Sequence, residues 1–427
     1  MFKKNIEITS KITSFASDEA SVILEKRNGV AAKIAERNSY LFTTHCIAHK
    51  LALACNSAEK QSSFCKHVEN TMKSIYSFFS SSSKRQETLR QYQTILDHPI
   101  LKIRQIHEIR WLSWYEAVKN LCLTIEPLMD TLLEMSVTSN RNQKEGIIQL
   151  YTQVCDWKFL AVLFFLYDIL GYLSNLSKIF QQRHIQISDI DPVIEMTINK
   201  IKLEYLDSDN DGNLLFGENL NNFLIEIPPE SNVSIGAHEL MWTEDYESDL
   251  IVIISSFSAA VILEIQERFP NRPLLNAMKI FNHLIWPDDK ELLVDYGEHE
   301  LNILMEYYKT IVDDNIFEEW SNYKAIIYAN YKTTKLELLL PKLFENYFET
   351  FPNILKLLSI IYSIPFSSVE CERGFSKQNL IKTDLRNNLN NETLNFLMMI
   401  GLDDVDLLEF DFGRALEIWN SQCERRI

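Results

Sequence analysis

Asp18 and Glu372 are carboxylates, the residue type that can hold divalent cations. Asp18 follows residues 8–17, which mix β-branched and small residues in partial alternation, so we expect it at the tip of a strand. Glu372 lies far along the chain, in an amphipathic segment. Hard cations such as Mg²⁺ prefer carboxylate ligands. On residue type alone, Asp18 could equally cap the helix that follows it, and Glu372 could be a solvated helix residue paired with Arg373 or Lys377.

A cysteine and a histidine stand three positions apart at Cys46 and His49, so on a helix they share a face. With Cys65 and His67 nearby, the pattern is compatible with a zinc site. The intervening segment lacks the paired turn motifs of a zinc finger. We therefore expect Cys46 and His49 to serve packing and hydrogen bonding, with zinc as the alternative.

An acidic segment at residues 207–218 has the spacing of a twelve-residue EF-hand loop. Its oxygen ligands would come from Asp207, Asp209, Asp211 and Glu218. Leu215 occupies a position where a polar, water-holding residue is usual, and the chain offers no partner hand. Calcium binding and a plain acidic surface loop are the two interpretations.

Composition limits the classes of function that remain. The chain has 427 residues with a formal net charge of −17, so it lacks the basic face that autonomous binding to duplex DNA needs, and any contact with DNA must be local. Seven cysteines without a secretory signal indicate reduced thiols in an intracellular protein. The apolar run 159–167 is too short to span a bilayer, so we expect a buried helix and no membrane partner.

The order of predicted elements favours helices. Glycine (10) and proline (11) are scarce, and helical periodicity dominates from Trp114 onward. We predict helices at residues 30–37 and 46–58, a further strand at 100–109, and a central buried helix at 159–180. Residues 205–250 are acidic and rich in asparagine, and we expect them to form a surface excursion between helices.

Three segments together resemble the hAT superfamily of DNA transposases. The first contains Asp18 and the Cys-x-x-His pair, and the second is Arg110-Trp111, similar to the motif that opens the family's helical insertion domain. The third, residues 372–376 (Glu-Arg-Gly-Phe-Ser), is similar to the signature of the family's C-terminal dimerisation region. The three segments occur in the family's order. The general character of the sequence is similar to that of the zinc-finger-associated, transposon-derived members of the family.

The resemblance implies an α+β fold that is predominantly helical, in which a partial RNase H-like sheet is interrupted by a large all-α insertion domain. We predict a partial RNase H-like core at 1–112 and a helical insertion domain at 113–333 that carries the acidic loop 205–250. Residues 334–427 should form the C-terminal RNase H-like helices and the dimerisation region.

The resemblance also implies a catalytic site in which two Asp and one Glu hold two Mg²⁺ ions. Asp18 matches the second Asp and Glu372 the Glu, whereas the first Asp belongs many tens of residues upstream and only 17 residues precede Asp18. Glu19 also replaces the small residue usual after the Asp. We expect an N-terminally truncated chain whose Asp18 and Glu372 are remnants, without competent transposase activity and with no cofactor required.

Other roles follow from the same resemblance. Arg110 and Trp111 would contact DNA, the indole by stacking on an unpaired base, although a core position beside Trp114 is the alternative. The predicted dimerisation residues are Arg373, Phe375, Ser376, Ile381, Arg386 and Leu389. The expected partner is a second copy or a related hAT protein, and the resemblance implies a nuclear location, with the cytoplasm as the default without it.

Two alternative functions stay open. The chain could be a fragment of an active, Mg²⁺-dependent DNA transposase or nuclease. It could also be an interaction protein that binds calcium through residues 207–218. The leading hypothesis is a transposon-derived hAT protein that acts mainly through dimerisation.

Overall fold

The computed structural model describes residues 11–18, 29–106, 111–182, 185, 187–208, 214–230, 232–270, 272–402 and 408–421. These residues divide into two compact units, which we call the N-terminal unit (residues 1–367) and the C-terminal unit (residues 368–427). Most of both is helical, and the sheets within the described residues have two strands each. The predicted predominantly helical α+β fold is confirmed, while the division into three domains stays a prediction.

Within its described residues, the first half of the N-terminal unit contains two strands with a short helix between them, followed by seven longer helices. Its elements are β1 (Ser14–Ser17), α1 (Val30–Ala35), β2 (Phe42–His45), α2 (Ile47–Gln61), α3 (Ser63–Ser80), α4 (Ser83–Ile95), α5 (Trp111–Cys122), α6 (Ile125–Thr138), α7 (Arg141–Val154) and α8 (Trp157–Phe180).

The second half continues with helices and one small hairpin. Its elements are α9 (Ile187–Tyr205), α10 (Glu218–Glu226), β3 (Ser234–Ile235), β4 (His238–Glu239), α11 (Tyr246–Arg268), α12 (Pro273–Met278), two 3₁₀ turns (Lys279–Phe281 and His283–Ile285), α13 (Lys290–Asp295), α14 (Glu298–Tyr308), α15 (Ile316–Asn330), α16 (Leu336–Tyr347) and α17 (Pro352–Tyr362).

The predicted strand before Asp18 is present as β1, which pairs in parallel with β2. The register aligns Ser14 with Phe42 and Ser17 with His45. Parallel strands need a crossover connection, and α1 lies in the segment that provides it. The chain returns to this sheet much later, where the backbone N–H of Ile47 donates to the carbonyl of Phe366 at 2.9 Å.

The helix α8 is the centre of the core. The sequence is apolar on all sides of this helix, and 16 of its 24 residues are buried, so it can pack against neighbours in every direction. It contacts α5, α10 and α11. By length and composition alone, α8 and α11 could each span a bilayer, and 72% and 44% of their most apolar windows are buried. The burial of α8 agrees with the predicted core helix.

Residues 205–250, predicted to form a surface excursion, are mostly exposed or half-buried where the structure describes them, but they contain a short helix and a hairpin that are anchored to the core. Within this segment, α10 packs on α8, where the rings of Phe164 and Phe223 stack with centroids 4.8 Å apart. The buried carboxylate of Asp168 accepts the backbone N–H groups of Asn219 (3.0 Å) and Leu220 (2.9 Å). These donors are free at a helix start, so Asp168 caps α10 from another helix.

The hairpin β3–β4 is also anchored in the core. His238 is 1% exposed, with Nε2 3.0 Å from Asp130 and Nδ1 2.9 Å from the hydroxyl of Tyr151. A buried imidazole bonded through both nitrogens fixes the hairpin against α6 and α7. Residues 205–250 are acidic in composition, but hydrogen bonds to side chains of helices distant in sequence hold parts of them in place.

The predicted strand at 100–109 is absent from the part of it that the structure describes, residues 100–106. This extended segment bonds to side chains rather than to a sheet. Gln93 Nε2 donates to the carbonyl of Leu101, and Asn120 Nδ2 donates to that of Lys102, both at 2.9 Å. These amides satisfy backbone acceptors that a neighbouring strand would otherwise have to satisfy.

Candidate interaction surface

The C-terminal unit has no buried residue within its described parts, 368–402 and 408–421. It contains α18 (Val369–Ile381), a 3₁₀ turn (Asp384–Arg386), α19 (Asn391–Leu402) and α20 (Phe412–Ser421). The helices α18 and α19 pack against each other. Such a unit lacks the enclosed apolar core that normally stabilises a fold.

The same unit exposes many large apolar side chains. They are Phe375, Leu380, Leu385, Phe396, Met399, Ile400, Leu402, Leu408, Phe410, Phe412, Leu416, Ile418 and Trp419. Single exposed apolar residues are normal on a protein surface, but contiguous groups mark interaction sites. The density of exposed apolar residues here therefore makes the C-terminal unit the strongest candidate for an interaction surface.

Their spacing forms apolar stripes on two helices. On α19, Phe396, Met399 and Ile400 are 56%, 59% and 75% exposed and stand three and four positions apart, so they share one side of the helix. On α20, Phe412 and Leu416 are four positions apart, 61% and 55% exposed. A helix with an apolar stripe is stable when that stripe is covered by another element.

The predicted dimerisation residues fall on this unit. Arg373, Phe375, Ser376 and Ile381 belong to α18, Arg386 to the 3₁₀ turn and Leu389 to the segment before α19. Phe375 is 65% exposed. Arg373 forms an ion pair with Glu370 one turn earlier, and because both groups are solvated the pair adds little stability. Their part in dimerisation stays a prediction.

Residues of α20 were not among the predicted interaction residues. Phe412, Leu416 and Trp419 follow the i, i+4, i+7 spacing that predicts an amphipathic helix, so the sequence carried a signal that could have identified them. They stand beyond the Glu-Arg-Gly-Phe-Ser motif on which the resemblance depends. The motif therefore does not extend to this helix.

The predicted catalytic remnants lie in different units. Asp18 directly follows β1 in the N-terminal unit and is exposed, while Glu372 is in the first turn of α18 in the C-terminal unit and is also exposed. Within the described residues, no three His, Cys, Asp or Glu side chains come together in a way that could hold a metal ion. A role for Asp18 and Glu372 as Mg²⁺ ligands stays a prediction.

The Cys-x-x-His pair lies at the start of α2. Cys46 is fully buried, and its Sγ is 3.8 Å from the hydroxyl of Ser367. The ring of His49 is tilted against that of His45, with centroids 6.3 Å apart. Cys65 is buried in α3. These contacts are those of packed side chains.

Two further predictions fall partly outside the described residues. Arg110 lies outside them, as does the side chain of Trp111, the first residue of α5. In the calcium-loop pattern, Asp209 and Asp211 also lie outside them. Asp207 is exposed near the end of α9, and Glu218 is the first residue of α10. DNA contact and calcium binding at these positions therefore stay predictions.

A comparison with protein families points to the same region of the chain. Residues 332–402 match the hAT family C-terminal dimerisation region. The match begins before α16, includes α17 and α18, and ends with α19. It supports membership of the hAT family and a protein that associates with itself or with related proteins.

Proposed function

We propose that this chain is a transposon-derived hAT protein whose main activity is to form a dimer through its C-terminal unit, with a second copy or with a related hAT protein. The observation that carries the proposal is a unit that matches a dimerisation region and exposes its apolar side chains in stripes. Burying one large apolar side chain contributes about 1.5–3 kcal/mol, so several together can offset the cost of association.

The proposal extends to the N-terminal unit. We propose that β1 and β2 belong to a partial RNase H-like sheet, with Asp18 at the carboxyl end of β1. We also propose a nuclear location, which rests on the family resemblance. The net charge of −17 opposes binding to DNA over a large surface. We therefore propose that this protein binds mainly to other proteins and not to DNA.

Sedimentation velocity of the full chain tests the proposal. The double variant Phe396→Asp/Ile400→Asp places two charges on the apolar stripe of α19, where dimer formation would bury them at high cost. The matched control is Leu133→Asp/Val137→Asp, which changes two residues of the N-terminal unit with the same i, i+4 spacing, 43% and 75% exposed on α6.

We expect a dimer for the unmodified chain and for the control, and a monomer for the α19 variant. A monomeric unmodified chain, measured up to concentrations of about 100 μM, would contradict the proposal, since specific interfaces of standard size bind more tightly than this. Equal dissociation of both variants would show that added charge, and not the position of α19, causes the effect.

A further inference from the structure

A small cavity lies beyond the carboxyl end of β2 in the N-terminal unit, and we call it the β2 cavity. Its volume is about 50 Å³. Its lining comes from the junction of β2 and α2, the start of α9, the connection from α11 to α12, and Phe366. Proteins with parallel strands commonly bind ligands beyond the carboxyl ends of those strands. The β2 cavity therefore has a position in the fold that suits a ligand.

The charged side chains of the β2 cavity favour an anion. Lys50 and Arg272 supply two positive charges to its lining. Asp191 also lines the cavity, but it forms an ion pair with Lys279, which offsets its negative charge. The cavity thus carries excess positive charge in a chain whose formal net charge is −17. A cavity of this kind attracts anions and repels cations.

The guanidinium of Arg272 is half-buried, and burial lowers its pKa below the usual value. Among the described residues it has neither a hydrogen bond nor an ion pair. Other buried or half-buried cations of this unit have partners. Arg268 Nη2 donates to the hydroxyl of Ser57 at 3.1 Å, and Lys324 Nζ donates to the carbonyl of Tyr296 at 3.0 Å. Because partly buried charges are normally paired, the exception at Arg272 points to a ligand.

The size of the β2 cavity limits the ligand. One water molecule needs about 10–15 Å³, so the cavity has room for roughly three to five groups of that size. A phosphate group, with its four oxygens, fits this space. The planar fork of an arginine binds two phosphate oxygens at once, and a lysine adds a point charge. Two cations also match a phosphate that carries nearly two negative charges at pH 7 better than they match a carboxylate.

We propose that the β2 cavity binds the phosphate group of a small free ligand, either inorganic phosphate or a phosphomonoester. The Arg272 guanidinium donates two hydrogen bonds to the phosphate, and Lys50 supplies the second positive charge. The bound phosphate joins α2 to the connection between α11 and α12, so it stabilises the N-terminal unit. Arg272 and Lys50 belong to the N-terminal unit, so the proposal does not depend on dimerisation through the C-terminal unit.

Thermal unfolding of the full chain at constant ionic strength tests the proposal. The probes are inorganic phosphate, glycerol 3-phosphate and an oligothymidylate without a terminal phosphate, which contains only phosphodiester groups. The variant is Arg272→Gln. The matched control is Arg90→Gln, which removes one guanidinium from an exposed position on α4 in the same unit.

We expect both small phosphates to raise the unfolding temperature of the unmodified chain and of Arg90→Gln, with dissociation constants of about 1 mM or lower. In Arg272→Gln these constants should increase about tenfold or more, because charge-assisted hydrogen bonds are lost. Without added phosphate, Arg272→Gln should unfold at the same temperature as the unmodified chain or a higher one. The reason is that the variant removes a partly buried charge that has no partner among the described residues.

Four results would overturn the proposal. The first is no shift with either small phosphate, and the second is an equal shift in Arg272→Gln. The third is a shift that depends on Arg272 but occurs only with the oligothymidylate, which would assign the cavity to nucleic acid. The fourth is a lower unfolding temperature of Arg272→Gln without phosphate, which would show that the guanidinium serves the fold. A shift with glycerol 3-phosphate alone would support the proposal and identify the ligand as an ester.

Discussion

The helices α8 and α19 show how differently the two units of this protein are stabilised. Both are strongly apolar in sequence. In the N-terminal unit, α8 buries Phe165 between the rings of Tyr205 and Phe257, with centroids 5.0 and 5.8 Å away. In the C-terminal unit, the apolar residues of α19 are at least partly exposed, including Phe396 at 56%. The same composition thus forms a core in one unit and a surface in the other.

The difference has an energetic consequence. Isolated helices as short as α18, α19 and α20 are marginally stable in water, because most helical stability in proteins comes from tertiary packing. The N-terminal unit provides such packing within one chain. The C-terminal unit leaves its apolar stripes uncovered, so we expect it to gain most of its stability when a partner binds.

The largest expected effect comes from a matched pair of truncations. Phe165→Ala removes a fully buried ring from α8 and should lower the free energy of unfolding of the N-terminal unit by about 3–5 kcal/mol, because it leaves a cavity. Phe396→Ala should change the free energy of unfolding of the C-terminal unit by less than about 0.5 kcal/mol, because the ring is 56% exposed in the single chain.

Urea unfolding followed by tryptophan fluorescence measures both values at a protein concentration below that of dimer formation. Similar losses of unfolding free energy in the two variants would contradict the proposed difference between the units. That result would mean that Phe396 is packed within the single chain.

A smaller effect concerns pH and His283 in the N-terminal unit. This imidazole is 2% exposed, its Nε2–H donates to the carbonyl of Thr334 at 2.6 Å, and its Nδ1 is buried without a hydrogen-bond partner among the described atoms. Burial lowers the pKa of His283 below its usual value of 6.5, against the raising effect of its backbone hydrogen bonds.

A histidine whose folded pKa is lowered contributes stability above its unfolded pKa and loses it as the pH falls. We therefore expect the unfolding free energy of the unmodified chain, relative to His283→Gln, to decrease as the pH drops from 7 to 5. The change should be well below that of Phe165→Ala and independent of protein concentration, as for a group within one chain. A difference between the two proteins that is constant from pH 5 to 7 would contradict the assignment.

Local sequence patterns predicted part of this structure. The apolar run at 159–180 predicted α8 almost to its ends, and the partial alternation before Asp18 predicted β1. The Glu-Arg-Gly-Phe-Ser motif led to the segment that matches the dimerisation region. In each case the signal lies in a few consecutive residues with a period or a motif of their own.

Other features depend on partners that are distant in sequence. The helix α10 follows an acidic segment, and its anchor is Asp168 in α8, which no local pattern connects to it. In α16, apolar and charged residues are both distributed around the helix, so the sequence predicts a helix but does not show which side the core covers. For the candidate site, the motif identified α18 and the i, i+4, i+7 spacing predicts an amphipathic α20, whereas the exposure of these apolar side chains became known only from the burial of each residue.

We expect the C-terminal unit to be stabilised mainly by a partner and the N-terminal unit by its own core. Hydrogen exchange of backbone amides, measured at protein concentrations above and below the dimer dissociation constant, tests it most directly. We predict that amides of α18, α19 and α20 are protected in the dimer and exchange rapidly after dilution, while those of α8 stay protected at both concentrations. Exchange in α18 and α19 that is equally slow at both concentrations would contradict the claim.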